Sequence, residues 1–157
     1  MQIFGVESHE GRTRELVLEL KYGKKRQNAR VLADIVVEAI DWTDFVCDVV
    51  TWAPTTALHQ RERGMDHAEL IARHVGVRLV LPTKRLLRRV NTVSQTGLDR
   101  EERLASPEFI ARPLGRRRNI LVIDDVVTTG ATFRAAVSAL VDTGALSVLC
   151  IAPSRTV

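Results

Sequence analysis

The stretch Asn119–Phe133 reads "NILVIDDVVTTGATF" and decides the fold prediction. Its first residues are apolar and predict a buried strand, which ends in two adjacent aspartates, Asp124 and Asp125. Small and hydroxyl residues follow, and Phe133 opens the spacing of an amphipathic helix. In parallel sheets covered by helices, ligands bind beyond the carboxyl ends of the strands. The aspartates therefore predict a ligand site at that edge.

The rest of the chain alternates in the same way. Helical spacing of apolar residues predicts four helices: Leu16, Val17 and Leu20, ending near Tyr22-Gly23; Leu32, Ile35, Val36 and Ala39; Ala68, Ile71, Ala72 and Val75, ended by Gly76; and Phe133, Ala136, Val137 and Leu140, ended by Gly144. Strands are predicted at "DFVCDVVTWAP", "VRLVLP", "NILVIDD" and "ALSVLCIA". This order is typical of a single α/β domain over residues 1–157, with a parallel sheet flanked by helices.

Composition narrows the class of protein. The 157 residues are 45% hydrophobic with a mean hydropathy of −0.01, which is typical of an ordinary globular chain. Cys47 and Cys150 form no CxxC pair, which argues against structural zinc and a disulfide framework. The first ten residues carry charges and no long apolar run, so we expect a cytoplasmic protein without a membrane partner. The net charge of +4 fits a nucleotide, a nucleic acid or a solvated surface.

The residues after the strand indicate what the site binds. Two carboxylates at a strand tip can accept hydrogen bonds from the vicinal diol of a ribose or help to hold a divalent cation. The segment Thr128–Thr132 enters a helix, whose first N–H groups and dipole favour an anion, and Gly130 lets the backbone approach it. Together these features predict a site that binds a ribose 5-phosphate. The alternative is purely structural: Asp125 ends a strand and Thr129 caps a helix.

One charged region has no clear period. Residues Arg85–Arg118 carry many charges and lack helical or strand spacing, which predicts a functional loop or flap. Three histidines, at positions 59, 67 and 74, do not predict a metal site, because the last two lie seven residues apart rather than four.

These motifs resemble a known family. "ILVIDDVVTTGAT" closely resembles the phosphoribosyl-pyrophosphate (PRPP) binding motif of type I phosphoribosyltransferases. "LKYGKK" near Leu20, "RGMDHAELIA" from Arg63 and "SQTGLDREER" from Ser94 resemble the ComF-type, competence-associated branch. The resemblance extends over nearly the whole chain from about Arg12. The sequence shows no match to the cysteine-rich zinc ribbon with which many relatives begin.

The resemblance implies a function and a role for each matching residue. It implies transfer of phosphoribosyl from PRPP to a nitrogen acceptor, with Mg²⁺ as cofactor and release of pyrophosphate. Asp124 and Asp125 would be the catalytic pair, binding the ribose hydroxyls directly or through Mg²⁺. The implied substrate-binding residues are Thr128, Thr129, Gly130, Ala131 and Thr132 for the 5-phosphate; Ala53, Pro54 and Thr55 for the pyrophosphate, with added charge from Arg61 and Arg63; and Gln95 and Arg103 in a mobile flap over Arg89–Glu108.

Some positions depart from the family pattern. Relatives have a VPxP-like segment where this chain has "TWAPT", and they often have Asn at the position of Ser106. "RGMDH" stands for "RGFNQ", so Asp66 and His67 replace Asn and Gln. The rival hypothesis is a non-enzymatic DNA-uptake factor that binds single-stranded DNA and a helicase partner. A second copy of the chain, in a homodimer, is a further candidate partner.

Overall fold

A computed structural model describes residues 2–90 and 107–156. The strands are β1 (Gln2–Ser8), β2 (Val49–Trp52), β3 (Leu87–Arg89), β4 (Phe109–Ala111), β5 (Asn119–Ile123), β6 (Val126–Val127) and β7 (Ser147–Arg155). The helices are α1 (Gly11–Tyr22), α2 (Asn28–Glu38), α3 (Ala57–Arg63), α4 (His67–Leu79) and α5 (Ala131–Asp142), with a 3-10 turn at Trp42–Asp44.

The main sheet is parallel and has the order β1-β7-β5-β2. The short strand β6 also pairs with β7 in parallel, beyond the end of β5. Helices cover both faces, with α1, α2 and α4 on one and α5 on the other. The predicted class, an α/β fold with a parallel sheet flanked by helices, is confirmed.

Alternation along the central strands divides the core into two layers. Val50, Leu121 and Leu149 point to one face, where they meet α1, α2 and α4. Their neighbours Ile120 and Val148 point to the other face, where they meet α5 and the β3–β4 pair. Because successive strand residues face opposite sides, the near-continuous apolar runs of β5 and β7 indicate strands that are buried on both faces.

The four predicted helices are confirmed, but the strand predicted at "VRLVLP" is wrong. The helix α4 continues through Gly76 to Leu79 and ends at Val80, whose φ of 57° is left-handed. The Leu81 N–H then donates to the Gly76 carbonyl at 2.8 Å, which closes the helix end. Val77 and Val80 are exposed, so the apolar run that predicted a strand is not a buried one.

Gly76 lies inside α4 because the following chain packs against it. A Cβ at this position would lie 2.0 Å from Thr83 Oγ1 and 3.0 Å from the Leu81 carbonyl oxygen. The glycine therefore allows a close contact rather than a helix end, and the pattern alone does not distinguish the two.

Two elements have weak sequence signals and were not predicted. The edge strand β1 holds only a few apolar residues, and it forms because β7 pairs with it along its length. The helix α3 has one and a half to two turns and no buried residue, so it has no apolar period. Its caps define it instead: Thr56 Oγ1 accepts from the His59 N–H at 3.2 Å, and Gly64 closes it with a φ of 72°.

Part of the predicted flap region is ordered structure. Leu87–Arg89 and Phe109–Ala111 form a two-stranded antiparallel sheet, with Leu87 and Phe109 buried against the α5 layer. Residues 91–106 lie outside the described residues; they include Gln95, Arg103 and Ser106 and make up most of the flap predicted over Arg89–Glu108. Within the described ranges, no helix is long and apolar enough to cross a membrane.

Candidate functional site

The carboxyl ends of β2 and β5 meet at one edge of the sheet. Trp52 pairs with Ile123, and the Ala53 N–H donates to the Ile123 carbonyl at 2.9 Å, so the ladder extends one residue past β2. The loop after β2 consequently lies beside Asp124. A cleft of about 150 Å³ opens there. Of the predicted site residues, Ala53, Pro54, Thr55, Arg63, Asp124, Asp125 and Thr132 line it.

The two aspartates turn to opposite sides of the sheet. Asp125 Oδ2 lies 2.9 Å from Lys21 Nζ of α1, on the face to which Leu121 and Ile123 point. Asp124 is half-buried, and its Oδ1 accepts from the Asp125 N–H at 2.8 Å. Burial raises the pKa of Asp124 well above its usual value, and the Asp125 carboxylate raises it further. Among the described residues, Lys21 therefore forms an ion pair with Asp125 and not with Asp124.

The loop between β6 and α5 has the backbone of an anion site. Gly130 caps α5 with a φ of 76°, a conformation that glycine adopts without steric cost. The N–H groups of Thr132 and Phe133, in the first turn of α5, donate to no residue in the described ranges. Of the loop side chains only Thr132 lines the cleft, while Thr128 and Thr129 are exposed.

The structural alternative for Thr129 holds in part. Its Oγ1 accepts from the Ala131 N–H at 3.3 Å, and its carbonyl accepts from Arg134 Nη1 at 3.0 Å. These bonds define the turn and leave the amides of the next two residues free, so the capping role and a ligand role are compatible.

Of the two predicted arginines on α3, only one lines the cleft. Arg61 is exposed and Arg63 is half-buried, because residues two apart on a helix point in nearly opposite directions. The Arg63 guanidinium lies over the Tyr22 ring, with its carbon 5.5 Å from the ring centroid. This cation–π contact holds Arg63 between α3 and the end of α1.

Asp66 serves as a structural link beneath the cleft. It is buried, its Oδ2 accepts from the Thr55 N–H at 3.0 Å, and its Oδ1 receives the Glu69 N–H at 3.5 Å. The carboxylate therefore caps α4 and fixes the loop after β2. Burial raises the pKa of Asp66, and the two backbone N–H groups oppose that rise.

Five residues that line the cleft were not predicted as site residues: Lys21, Asp66, His67, Ala68 and Arg89. Lys21 belongs to "LKYGKK" and the next three to "RGMDHAELIA", so the resemblance marked their segments but not their roles. Arg89 ends β3, near the Phe109 ring at 5.9 Å. Burial lowers the pKa of Arg89, and the charges of Asp124 and Asp66 oppose that effect.

The cleft therefore holds groups of both charges. Carboxylates stand at the end of β5, and Lys21, Arg63 and Arg89 bring three cations from α1, α3 and β3. Such a site suits a ligand that has both hydroxyl groups, or a bound cation, and anionic groups.

Solved structures share this fold. The chain superposes with a TM-score of 0.56 and 17% identity on the structure of the allosteric regulatory enzyme of purine biosynthesis, covering 86% of this chain and 30% of that one. The structure of glutamine PRPP amidotransferase from B. subtilis, complexed with ADP and GMP, superposes with a TM-score of 0.56 and 16% identity, covering 86% of this chain and 30% of that one. The AQ2163 protein from Aquifex aeolicus superposes with a TM-score of 0.54 and 11% identity, covering 98% of this chain and 87% of that one.

The fold is type I phosphoribosyltransferase-like. The chain spans 30% of the length of the first two of these structures. No protein-family model matches the sequence, and no curated protein sequence matches it.

Proposed function

We propose that this protein binds PRPP, or a related phosphoribosyl ligand, with Mg²⁺ and transfers the phosphoribosyl group to a nitrogen acceptor. The nitrogen would form a bond to the anomeric carbon of the ribose. The bond from that carbon to pyrophosphate would break, and pyrophosphate would leave with the electron pair while the acceptor nitrogen gives a proton to solvent. The observation that carries the proposal is the acidic pair at the end of β5 in one cleft with three cations.

The acidic pair fits Mg²⁺. Lys21 pairs with Asp125 and leaves Asp124 without a salt bridge among the described residues, which also contain no cluster of three or more His, Cys, Asp or Glu side chains that could hold a metal alone. Mg²⁺ typically uses one or two carboxylates together with substrate oxygens and water. When bound, it would neutralise the charge that develops on the departing pyrophosphate.

Different groups of the chain would bind the two anionic parts of the ligand. The free amides at the start of α5 support binding of the 5-phosphate, with Thr132 beside them. Arg63 and Arg89 are placed to stabilise the charge that develops on pyrophosphate. Lys21 would release Asp125 as the ligand binds, and it could then contact an anionic oxygen.

The ComF-type assignment is a finer proposal. It gains support because two of the segments that carry that resemblance bring Lys21, Arg63 and His67 to the cleft. The third, "SQTGLDREER", lies outside the described residues.

Calorimetry with PRPP, with and without Mg²⁺, tests binding. Asp124→Asn should weaken Mg²⁺-dependent binding about ten- to a hundredfold, the range for losing a charged hydrogen-bond partner. Asp142→Asn is the control, because this exposed aspartate ends α5 far from its first turn. Equal affinities in the two variants would remove the acidic pair from the site. Release of pyrophosphate in a screen of nucleobases then tests transfer and identifies the acceptor.

A further inference from the structure

His67, the first residue of α4, has a buried ring nitrogen without a partner. The residue lines the cleft and is only 3% exposed. Its Nε2 forms no hydrogen bond with any residue in the ranges 2–90 and 107–156. A buried polar atom left unpaired destabilises the fold, because it loses its hydrogen bonds to water and gains no partner.

Backbone donors at the same point are also unpaired. The N–H groups of His67 and Ala68 are the first two of α4, and the described part of the chain offers them no acceptor. Ala68 is buried and lines the same cleft. Since α4 runs over thirteen residues, its positive dipole end adds to these donors.

The surrounding charges indicate what would pair with them. Burial lowers the pKa of His67 to about 4; the Asp125 charge opposes that effect, and the positive charges of Arg63 and Lys21 add to it. The ring is therefore neutral near pH 7 and offers an N–H group rather than a charge. Asp66 does not compete for it, because both of its carboxylate oxygens accept backbone N–H groups.

We propose that the Nε2–H of His67 and the first amides of α4 bind a phosphate oxygen of the ligand. This subsite is separate from the loop at Gly130, which lies at the start of α5. The inference rests on the proposed function: with the 5-phosphate at α5, His67 takes the pyrophosphate group of PRPP. The unpaired groups at this corner are all N–H donors, and Arg63 and Lys21 offset the nearby Asp125 charge, so an oxygen that accepts hydrogen bonds fits better than a hydroxyl donor.

Two substitutions and a matched control test the subsite. His67→Leu removes the nitrogen at similar volume, and His67→Gln returns an amide N–H at similar reach. His74→Leu is the control, because it makes the same change two helical turns further along α4, away from the cleft. The probes are inorganic pyrophosphate and PRPP, each with Mg²⁺, titrated by calorimetry, and the unfolding midpoint of every variant is measured alongside.

We expect His67→Leu to bind pyrophosphate about ten- to a hundredfold more weakly, the range for a lost hydrogen bond to a charged group, while its unfolding midpoint rises. His67→Gln should keep most of the affinity, and His74→Leu all of it. Unchanged pyrophosphate affinity in His67→Leu would overturn the subsite, and the proposed function would survive if PRPP still binds. Binding of pyrophosphate through His67 without binding of PRPP would support the subsite and contradict the proposed function. A wild-type protein that binds neither probe would overturn both.

Discussion

Asp124 is a residue at which binding and stability oppose each other. Its pKa is raised by burial first and by Asp125 second, so the folded chain holds the proton more tightly than the unfolded chain does. The negative charge therefore destabilises the fold increasingly as pH rises from the usual value of 3.8 toward the raised pKa. Wherever the Asp124 carboxyl is ionised, it places an unfavourable charge at the centre of the candidate site.

The first prediction follows from that sign. Asp124→Asn should raise the unfolding midpoint at pH 7, because a neutral amide replaces the buried charge, and the gain should shrink as pH falls toward 3.8. Thermal unfolding of both proteins between pH 4 and pH 8 measures the difference. A variant that is less stable than wild type at pH 7 would show that the carboxylate, as in an ordinary structural ion pair, stabilises the fold.

The second prediction concerns Gly130 and uses the other end of the same helix as its control. Gly130 and Gly144 have φ angles of 76° and 91°, so alanine at either position should cost about 1 kcal/mol of unfolding free energy. Only Gly130 borders the free amides of α5, where an added methyl group also meets Arg134 Nη1 at 3.0 Å. Gly130→Ala should therefore weaken PRPP binding in calorimetry, and Gly144→Ala should not. Equal affinity in the two variants would reduce the loop to a structural turn.

Cleft residues that share one local motif could be predicted from the sequence pattern, those of the loop after β2 and Arg63 were predicted only through the family resemblance, and others were missed. Asp124, Asp125 and Thr132 are adjacent to a strand end and a helix start, which periodicity locates. Lys21 and Arg89 reach the cleft from α1 and β3, and only the packing of those elements on the sheet brings them there. Lys21 also lies on an amphipathic helix, where a lone lysine usually faces solvent.

At the scale of elements, a third prediction distinguishes the two meanings of a helical glycine. In an exposed helix, Gly→Ala stabilises by up to about 1 kcal/mol. Gly76→Ala should instead destabilise, because the new Cβ would lie 2.0 Å from Thr83 Oγ1. Thr83→Ala removes that oxygen, so the double variant should recover part of the loss, although the Leu81 carbonyl oxygen at 3.0 Å remains close. Urea unfolding of the two single variants and the double variant gives the coupling energy. A Gly76→Ala variant more stable than wild type would contradict the close contact.

The same contact explains why this strand could not be predicted. "VRLVLP" has the apolar content of a strand, but Val77 in α4 and Val80 just after it are exposed. Among the described residues, the free side of β2 carries a single bridge, between Val50 and Thr83. The packing of Thr83 against Gly76 is a tertiary contact that favours the helix over a strand. The local sequence pattern of these residues does not show that contact. Strands buried on both faces, β5 and β7, were predicted because their apolar runs leave no such choice.

At the level of the whole molecule, the order of the strands in the sheet determines where the cleft forms. The parallel order places the ends of β2 and β5 side by side, and helices on one face and the β3–β4 pair on the other supply the cations around the aspartates. A ligand that bridges these groups connects α1, α4, α5 and β3 at once. Binding should therefore stabilise the global fold rather than one loop.

The last prediction measures that coupling. PRPP and Mg²⁺ together, at about 100 times the dissociation constant, should add roughly 2.7 kcal/mol, which for a chain of this size raises the unfolding midpoint by roughly 5–10 °C. Mg²⁺ alone should do little, because the acidic pair offers it two carboxylates and no third protein ligand within the described residues. Single-stranded DNA in place of PRPP tests the rival function, since its effect should fall steeply with added salt. A shift with PRPP that needs Mg²⁺ and persists at moderate salt requires ligand, metal and carboxylates in one site, whereas a shift with DNA alone would assign the same cations to a nucleic-acid backbone.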